Sequence, residues 1–164
     1  MPHQLTFTYT ESLLRRAVFA FWWRTVGVGF FVTMAVLAVS LVFLVGQGNR
    51  SWVVGAIGTV LFLALVFAAM VYFVHLRNML GKLRSMGSSG ATVEVGESSF
   101  AMSSGMGSAS VGWSAVTELW QFESFWLLLF SKAQFVTFPL ASIPVETQLF
   151  IVSRVKAAGA KVVG

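Results

Sequence analysis

The sequence contains no cysteine and no aspartate, and only 10% of its 164 residues are charged. Without cysteine there are no disulfides, no thiolate metal sites and no thiol nucleophile. The acids are confined to Glu11, Glu94, Glu97, Glu118, Glu123 and Glu146, and the histidines to His3 and His75. General acid–base chemistry needs a tuned pair of such groups, and none stands out. Glu94 and Glu97 border one predicted strand turn and Glu118 and Glu123 flank another strand, as solvated edges do. His75 has no second ligand in view, and His3 belongs to a terminus expected to fray. The 11 Lys and Arg residues give a net charge of +5 but are dispersed, without the clustered basic face that nucleic acid requires. The sequence therefore points to no catalytic residue, no cofactor, no metal and no nucleic-acid partner.

What the chain has instead is hydrocarbon: 57% of its residues are apolar and mean hydropathy is +0.81. Soluble domains carry about 25% charged residues, so the balance indicates lipid. Two uncharged stretches, at about 26–45 and 52–76, are each long enough to cross a hydrocarbon core of about 30 Å as a helix. Between them lies Gly46-Gln47-Gly48-Asn49-Arg50-Ser51, too short for anything but an antiparallel pair. Arg15, Arg16 and Arg24 precede the first stretch, Arg77, Lys82 and Arg84 follow the second, and Arg50 alone occupies the link. Basic flanks stay cytoplasmic, so a multi-pass protein of the inner (plasma) membrane with both termini in the cytoplasm is expected. Trp22, Trp23, Trp52 and Tyr72 fall where interfacial aromatics belong. Gly29, Thr33 and Ser40 on the first helix, with Gly55, Thr59, Ala64 and Ala68 on the second, are small enough for close packing, within the hairpin or in a homodimer.

The remainder divides into residues 1–24, a strand leading to an interfacial helix; 77–91, a basic segment followed by the flexible Gly87-Ser88-Ser89-Gly90; and 92–164, a cytoplasmic β domain. The alternation Leu5-Thr6-Phe7-Thr8-Tyr9-Thr10 predicts a half-buried strand able to join the C-terminal sheet, and Thr10 is a candidate helix N-cap. Strands are predicted at about 92–95, 98–103, 108–113, 118–122, 125–130 and 134–139, an antiparallel meander. Gly105-Met106-Gly107-Ser108 lacks the lysine and following helix of a phosphate loop and suits a hairpin tip. A terminal amphipathic helix is expected after Pro144, with Val145, Leu149, Val152 and Val155 facing inward and Gly159 at its end. The fold class is thus membrane α plus β: a two-helix transmembrane hairpin and an antiparallel meander closed by a C-terminal helix, pleckstrin-homology-like.

In order of parts the chain resembles the YcxB-like membrane proteins of bacteria. The resemblance is carried by Gly112-Trp113-Ser114-Ala115-Val116, by Phe138-Pro139 and by Ser142-Ile143-Pro144. A basic residue usually follows the first of these prolines in that family; Leu140 and Ala141 stand here. Bacterial pleckstrin-homology-like proteins with two N-terminal spans are the near rival. The resemblance implies a fold and no activity. The leading expectation is a non-enzymatic binding or regulatory module anchored at the inner membrane, with the lipid bilayer and an unidentified protein as partners. Trp113, Trp120, Phe122, Phe125 and Trp126 are either sheet core or, if Trp120 and Trp126 face outward, a contact patch. The alternatives are an anionic-lipid sensor acting through Arg77, Lys82 and Arg84, and an immunity protein against a membrane-acting toxin.

Overall fold

The computed structural model describes residues 3–85, 90–105, 107–131 and 134–164. The chain divides into two compact units, residues 18–77 and residues 1–17 with 78–164. The Gly87-Ser88-Ser89 part of the expected linker, and Met106 of the expected hairpin tip, lie outside the described residues.

The 18–77 unit contains the middle of two helices, α1 (Glu11–Gly46) and α2 (Trp52–Ser85). Both are long and apolar enough to cross a membrane. One residue into the first predicted span, α1 is interrupted: Gly27 has φ 76° and ψ 156°, a combination essentially restricted to glycine. The consequence is visible in the aromatic rings on either side. Trp23 and Phe31 stack with centroids 4.7 Å apart, although eight residues of unbroken helix would separate them by about 12 Å along the axis. Gly27 therefore turns the chain between an aromatic-rich entry segment and the apolar run.

Small side chains in this unit behave mainly as local helix elements. Thr33, Ser40 and Thr59 each donate a hydroxyl hydrogen bond to the carbonyl four residues earlier, at 2.8–2.9 Å. Their polar groups are thus satisfied within their own helices, a requirement where water is absent. Between the helices, Trp22 Nε1 donates to Ala68 O at 2.8 Å, and the backbone at Gly58 comes close to Leu41.

The other unit is built on two four-stranded sheets. The first runs β1 (His3–Thr8), β2 (Gly90–Val95), β3 (Ser99–Ser104) and β4 (Gly107–Gly112), all antiparallel. The N-terminal strand joins the C-terminal sheet, with Leu5 opposite Val93 and Phe7 opposite Ala91. His3 pairs with Val95 through the backbone, so the strand begins earlier than expected and His3 is not a frayed end. Thr10 caps α1, its Oγ1 accepting from Leu13 N at 3.2 Å.

The second sheet has the order β7 (Gln134–Pro139), β6 (Phe125–Ser131), β5 (Glu118–Gln121) and β8 (Lys161–Val163). β8 is parallel to β5 and had no counterpart in the expected meander. Before it comes α3 (Val145–Ala157), whose end is closed by Gly159 at φ 83°: Gly159 N bonds Lys156 O and Ala160 N bonds Val155 O. These are the two bonds of a Schellman cap, which satisfy the last carbonyls and redirect the chain. The buried stripe of α3 is Thr147, Ile151 and Val155, whereas Val145 and Leu149 are exposed. Of the expected inward face only Val155 is buried; helical periodicity identifies a stripe, but the entry direction after Pro144 selects which stripe turns inward.

Rings from both sheets meet in the core. Phe7 and Phe100 from the first sheet lie 5.0 and 5.7 Å from Phe138 of the second. Trp113, opening the short 3-10 turn Trp113–Ala115, packs on Phe100 at 5.0 Å and donates its indole N–H to Gly96 O at 3.1 Å. Fully burying aromatic side chains of this size is worth about 1.5–3 kcal/mol each before edge-to-face terms. This cluster ties β1 to the C-terminal sheets.

Candidate functional site

The tryptophans considered as a contact patch are core residues. Trp120 and Trp126 are 7% and 5% exposed, and Trp113 and Phe125 are equally enclosed. Both strands that carry Trp120 and Trp126 are interior: β6 lies between β7 and β5, and β8 covers the edge that β5 would otherwise present. Residues 125–129 are buried without alternation, so both faces of β6 are covered. The signal in the sequence was the unbroken apolar run Phe125-Trp126-Leu127-Leu128-Leu129, which suits a strand buried on both faces. Trp120 also satisfies its indole N–H by donating to Glu118 Oε2 at 2.6 Å. Glu118 is thereby committed to holding a core ring. Phe122 is half-buried and stacks on Phe125 at 4.9 Å.

Arg77, Lys82 and Arg84 are all exposed on the last turns of α2. Lys82 and Arg84 nevertheless diverge, since two residues of helix turn the side chains by about 200°. Lys82 lines a cavity of about 200 Å³ in the unit formed by residues 1–17 and 78–164. Four elements contribute. From α2, Met79, Lys82 and Leu83 share one face, being three and four residues apart. Leu14 comes from the first turn of α1, Met102 from β3, and Phe135, Val136 and Thr137 from the edge strand β7. Tyr9, at the junction of β1 and α1, completes the wall and donates its hydroxyl to Thr137 O at 3.1 Å. Burial pushes the Tyr9 phenol well above its ordinary range, so it stays a neutral donor.

Two polar groups are set into this apolar wall. Thr137 is 3% exposed, and its Oγ1 has no hydrogen-bond partner among the described residues. An enclosed hydroxyl left unpaired costs about 1–3 kcal/mol, so a native protein carries one for a reason. The other is Lys82, the one charged residue among the described lining residues, which include no carboxylate. Glu11 pairs with Arg15 at 3.8 Å, and Glu97 with Arg154 at 3.9 Å, where the guanidinium also lies over the Phe150 ring. Sequence reasoning placed Lys82 in a basic flank but missed Tyr9, Met102 and Thr137, because their convergence depends on β1 crossing to the C-terminal sheets. A second hollow of about 400 Å³, between the helices, is lined by aromatic and aliphatic groups such as Trp22, Phe31, Leu65 and Tyr72. It presents little polarity with which to select a ligand.

The model of the family described as YcxB-like protein matches residues 95–150, from the end of β2 into α3. Residues 95–150 are thus similar to the YcxB-like family. The two apolar helices lie N-terminal to it, as in the two-span arrangement that the sequence resembles. Within the matched segment fall Met102, Phe135 and Thr137 of the cavity; Tyr9, Leu14, Met79 and Lys82 lie outside it. No significant match is found among curated proteins or solved structures.

Proposed function

We propose that the chain is a membrane-anchored, non-enzymatic binding or regulatory module, in which the helical pair crosses the inner membrane twice and the YcxB-like β unit presents its cavity to the cytoplasm. The observation that carries the reading is the β1–β2 ladder, which runs from His3 opposite Val95 to Thr8 opposite Gly90. Segments paired by backbone hydrogen bonds occupy one compartment. The stretch before α1 and the stretch after α2 therefore favour a hairpin that leaves and re-enters the same side. The side is supported by arginine placement, three before the first span against Arg50 in the link. Exposed apolar residues along the helices, Val39 and Val42 at 70% and 73% among them, suit lipid far better than water.

A binding role is favoured over catalysis by how the titratable groups are used. Glu118 anchors an indole, while Glu11 and Glu97 pair with arginines. The pleckstrin-homology-like reading is consistent with two sheets and a C-terminal helix. The test is extraction of native membranes with alkaline carbonate, combined with reporter fusions at both ends. Retention in the pellet with both reporters active only in the cytoplasm is expected. Release into the supernatant, or reporters on opposite sides, refutes the reading.

A further inference from the structure

We propose that the cavity bounded by α2, β3 and β7 binds a single-chain anionic amphiphile, its apolar chain seated against Leu14, Met79, Met102 and Phe135 and its carboxylate or phosphate paired with Lys82. The proposal rests on the binding-module reading and gives it a ligand class.

Three observations select this chemistry. The walls are apolar and include two methionines, whose flexible, polarisable side chains adapt to chains of irregular shape. The volume of about 200 Å³ has room for about seven water-sized groups, which suits one short acyl chain. Among the described lining residues the polar side chains are Lys82, Thr137 with its unpartnered hydroxyl, and Tyr9, whose hydroxyl is committed to Thr137 O, and there is no carboxylate. Lys82 supplies the charge complement for an anion, and Thr137 Oγ1 gains in a ligand carbonyl or carboxylate oxygen the hydrogen bond that the fold leaves unmade. Tyr9 holds the Thr137 backbone through its hydroxyl. A purely apolar ligand would leave both polar groups unanswered, and a purely polar anion would leave the walls wet.

The test uses the full chain in phosphatidylcholine nanodiscs, with the methionine methyl groups isotopically labelled and Met79 and Met102 assigned through Met79→Leu and Met102→Leu. Octanoate, octanol and octanoyl lysophosphatidylglycerol are titrated in separate arms. Saturable movement of the Met79 and Met102 resonances is expected with octanoate or the lysolipid, and about tenfold weaker with octanol, as loss of one charge-assisted hydrogen bond implies. Tighter binding of the lysolipid identifies a membrane source for the ligand; tighter binding of octanoate identifies a soluble acid. Lys82→Gln, at an exposed position, should reduce octanoate to the octanol level and leave octanol unchanged. Thr137→Val, which keeps the shape, should weaken octanoate again. Equal affinity for octanoate and octanol, an unchanged affinity in Lys82→Gln, or movement that never saturates overturns the proposal. Carbonate release or divergent reporters would remove the anchored reading instead, and leave these titrations to be read unchanged.

Discussion

At the scale of single residues, Tyr9 and Thr137 form the most informative pair, because one makes a buried hydrogen bond and the other lacks one. Tyr9→Phe removes the donor to Thr137 O and should lower stability by about 1 kcal/mol. Thr137→Val replaces an unpaired enclosed hydroxyl by a methyl group of the same shape and should raise stability by a similar amount, about 1 kcal/mol. Opposite shifts in the melting temperature of the ligand-free chain in nanodiscs are the expected outcome, and a fall in both variants would show that Thr137 Oγ1 is already satisfied. The phenol gives a pH signature as well. Its folded pKa is raised by burial, so above about pH 10 the unfolded chain loses a proton that the native chain keeps. Stability contributed by the buried neutral ring is complete below that pH and is lost as pH rises towards the folded value. The difference in melting temperature between parent and Tyr9→Phe should therefore shrink in alkaline buffer; a constant difference would mean that Tyr9 is not enclosed. None of this was legible from residue types alone, since Tyr9 and Thr137 are 128 positions apart.

Among elements, the parts with strong local signals were readable and the parts defined by their neighbours were not. The two helices, the Thr10 cap, the Gly159 terminus and the strand at 134–139 follow from hydropathy, capping chemistry and alternation. β8 is three residues long and gains its identity only by pairing with β5, and its presence is what turns Trp120 from an edge residue into a core one. The Gly27 break was equally hidden, because glycine within an apolar run is common and its backbone angles are not encoded in hydropathy. Gly27→Ala should cost about 1–3 kcal/mol in the observed conformation. The expected relief is straightening of α1, read as loss of the ring-current shift that Phe31 imposes on fluorinated Trp23; an unaltered spectrum would show that the turn does not depend on glycine. The β1–β2 register can be tested because the chain has no native thiol. Gln4 and Glu94 are exposed and directly opposed, and facing strand residues have Cα atoms about 4.5–5.5 Å apart, within disulfide range. Gln4→Cys with Glu94→Cys should crosslink on mild oxidation, whereas Gln4→Cys with Thr92→Cys, two positions off, should not. Equal yields would dismiss the register.

For the whole molecule, the β1–β2 ladder and the pair of apolar helices constrain each other. In the proposed membrane arrangement flanking charge favours an orientation for each helix, and an intact ladder would keep the two ends on one side. Orientation then becomes a property of the hairpin as a unit. Replacing Arg15, Arg16 and Arg24 with Gln, and Gln47 and Asn49 with Lys, inverts the charge bias between the outer flank and the link. If the helices oriented independently, the first would respond and the second, still flanked by Arg77, Lys82 and Arg84, would not. If the ladder couples them, thiols introduced at Gln4 and Glu97 should react alike with a membrane-impermeant maleimide in every charge variant, both hidden or both exposed. The Gln4–Glu94 crosslink should survive whichever side results. A variant in which Gln4→Cys reacts from outside while Glu97→Cys needs the membrane opened would show that the N-terminal strand leaves the sheet more easily than the helix resists inversion. Because Phe7 is buried against Phe138 at 5.0 Å, that variant should also lose about 3–5 kcal/mol of β-unit stability, the cost of emptying a buried phenylalanine site. Topology and folding would then fail together, measured as protease sensitivity of the C-terminal unit in the same membranes.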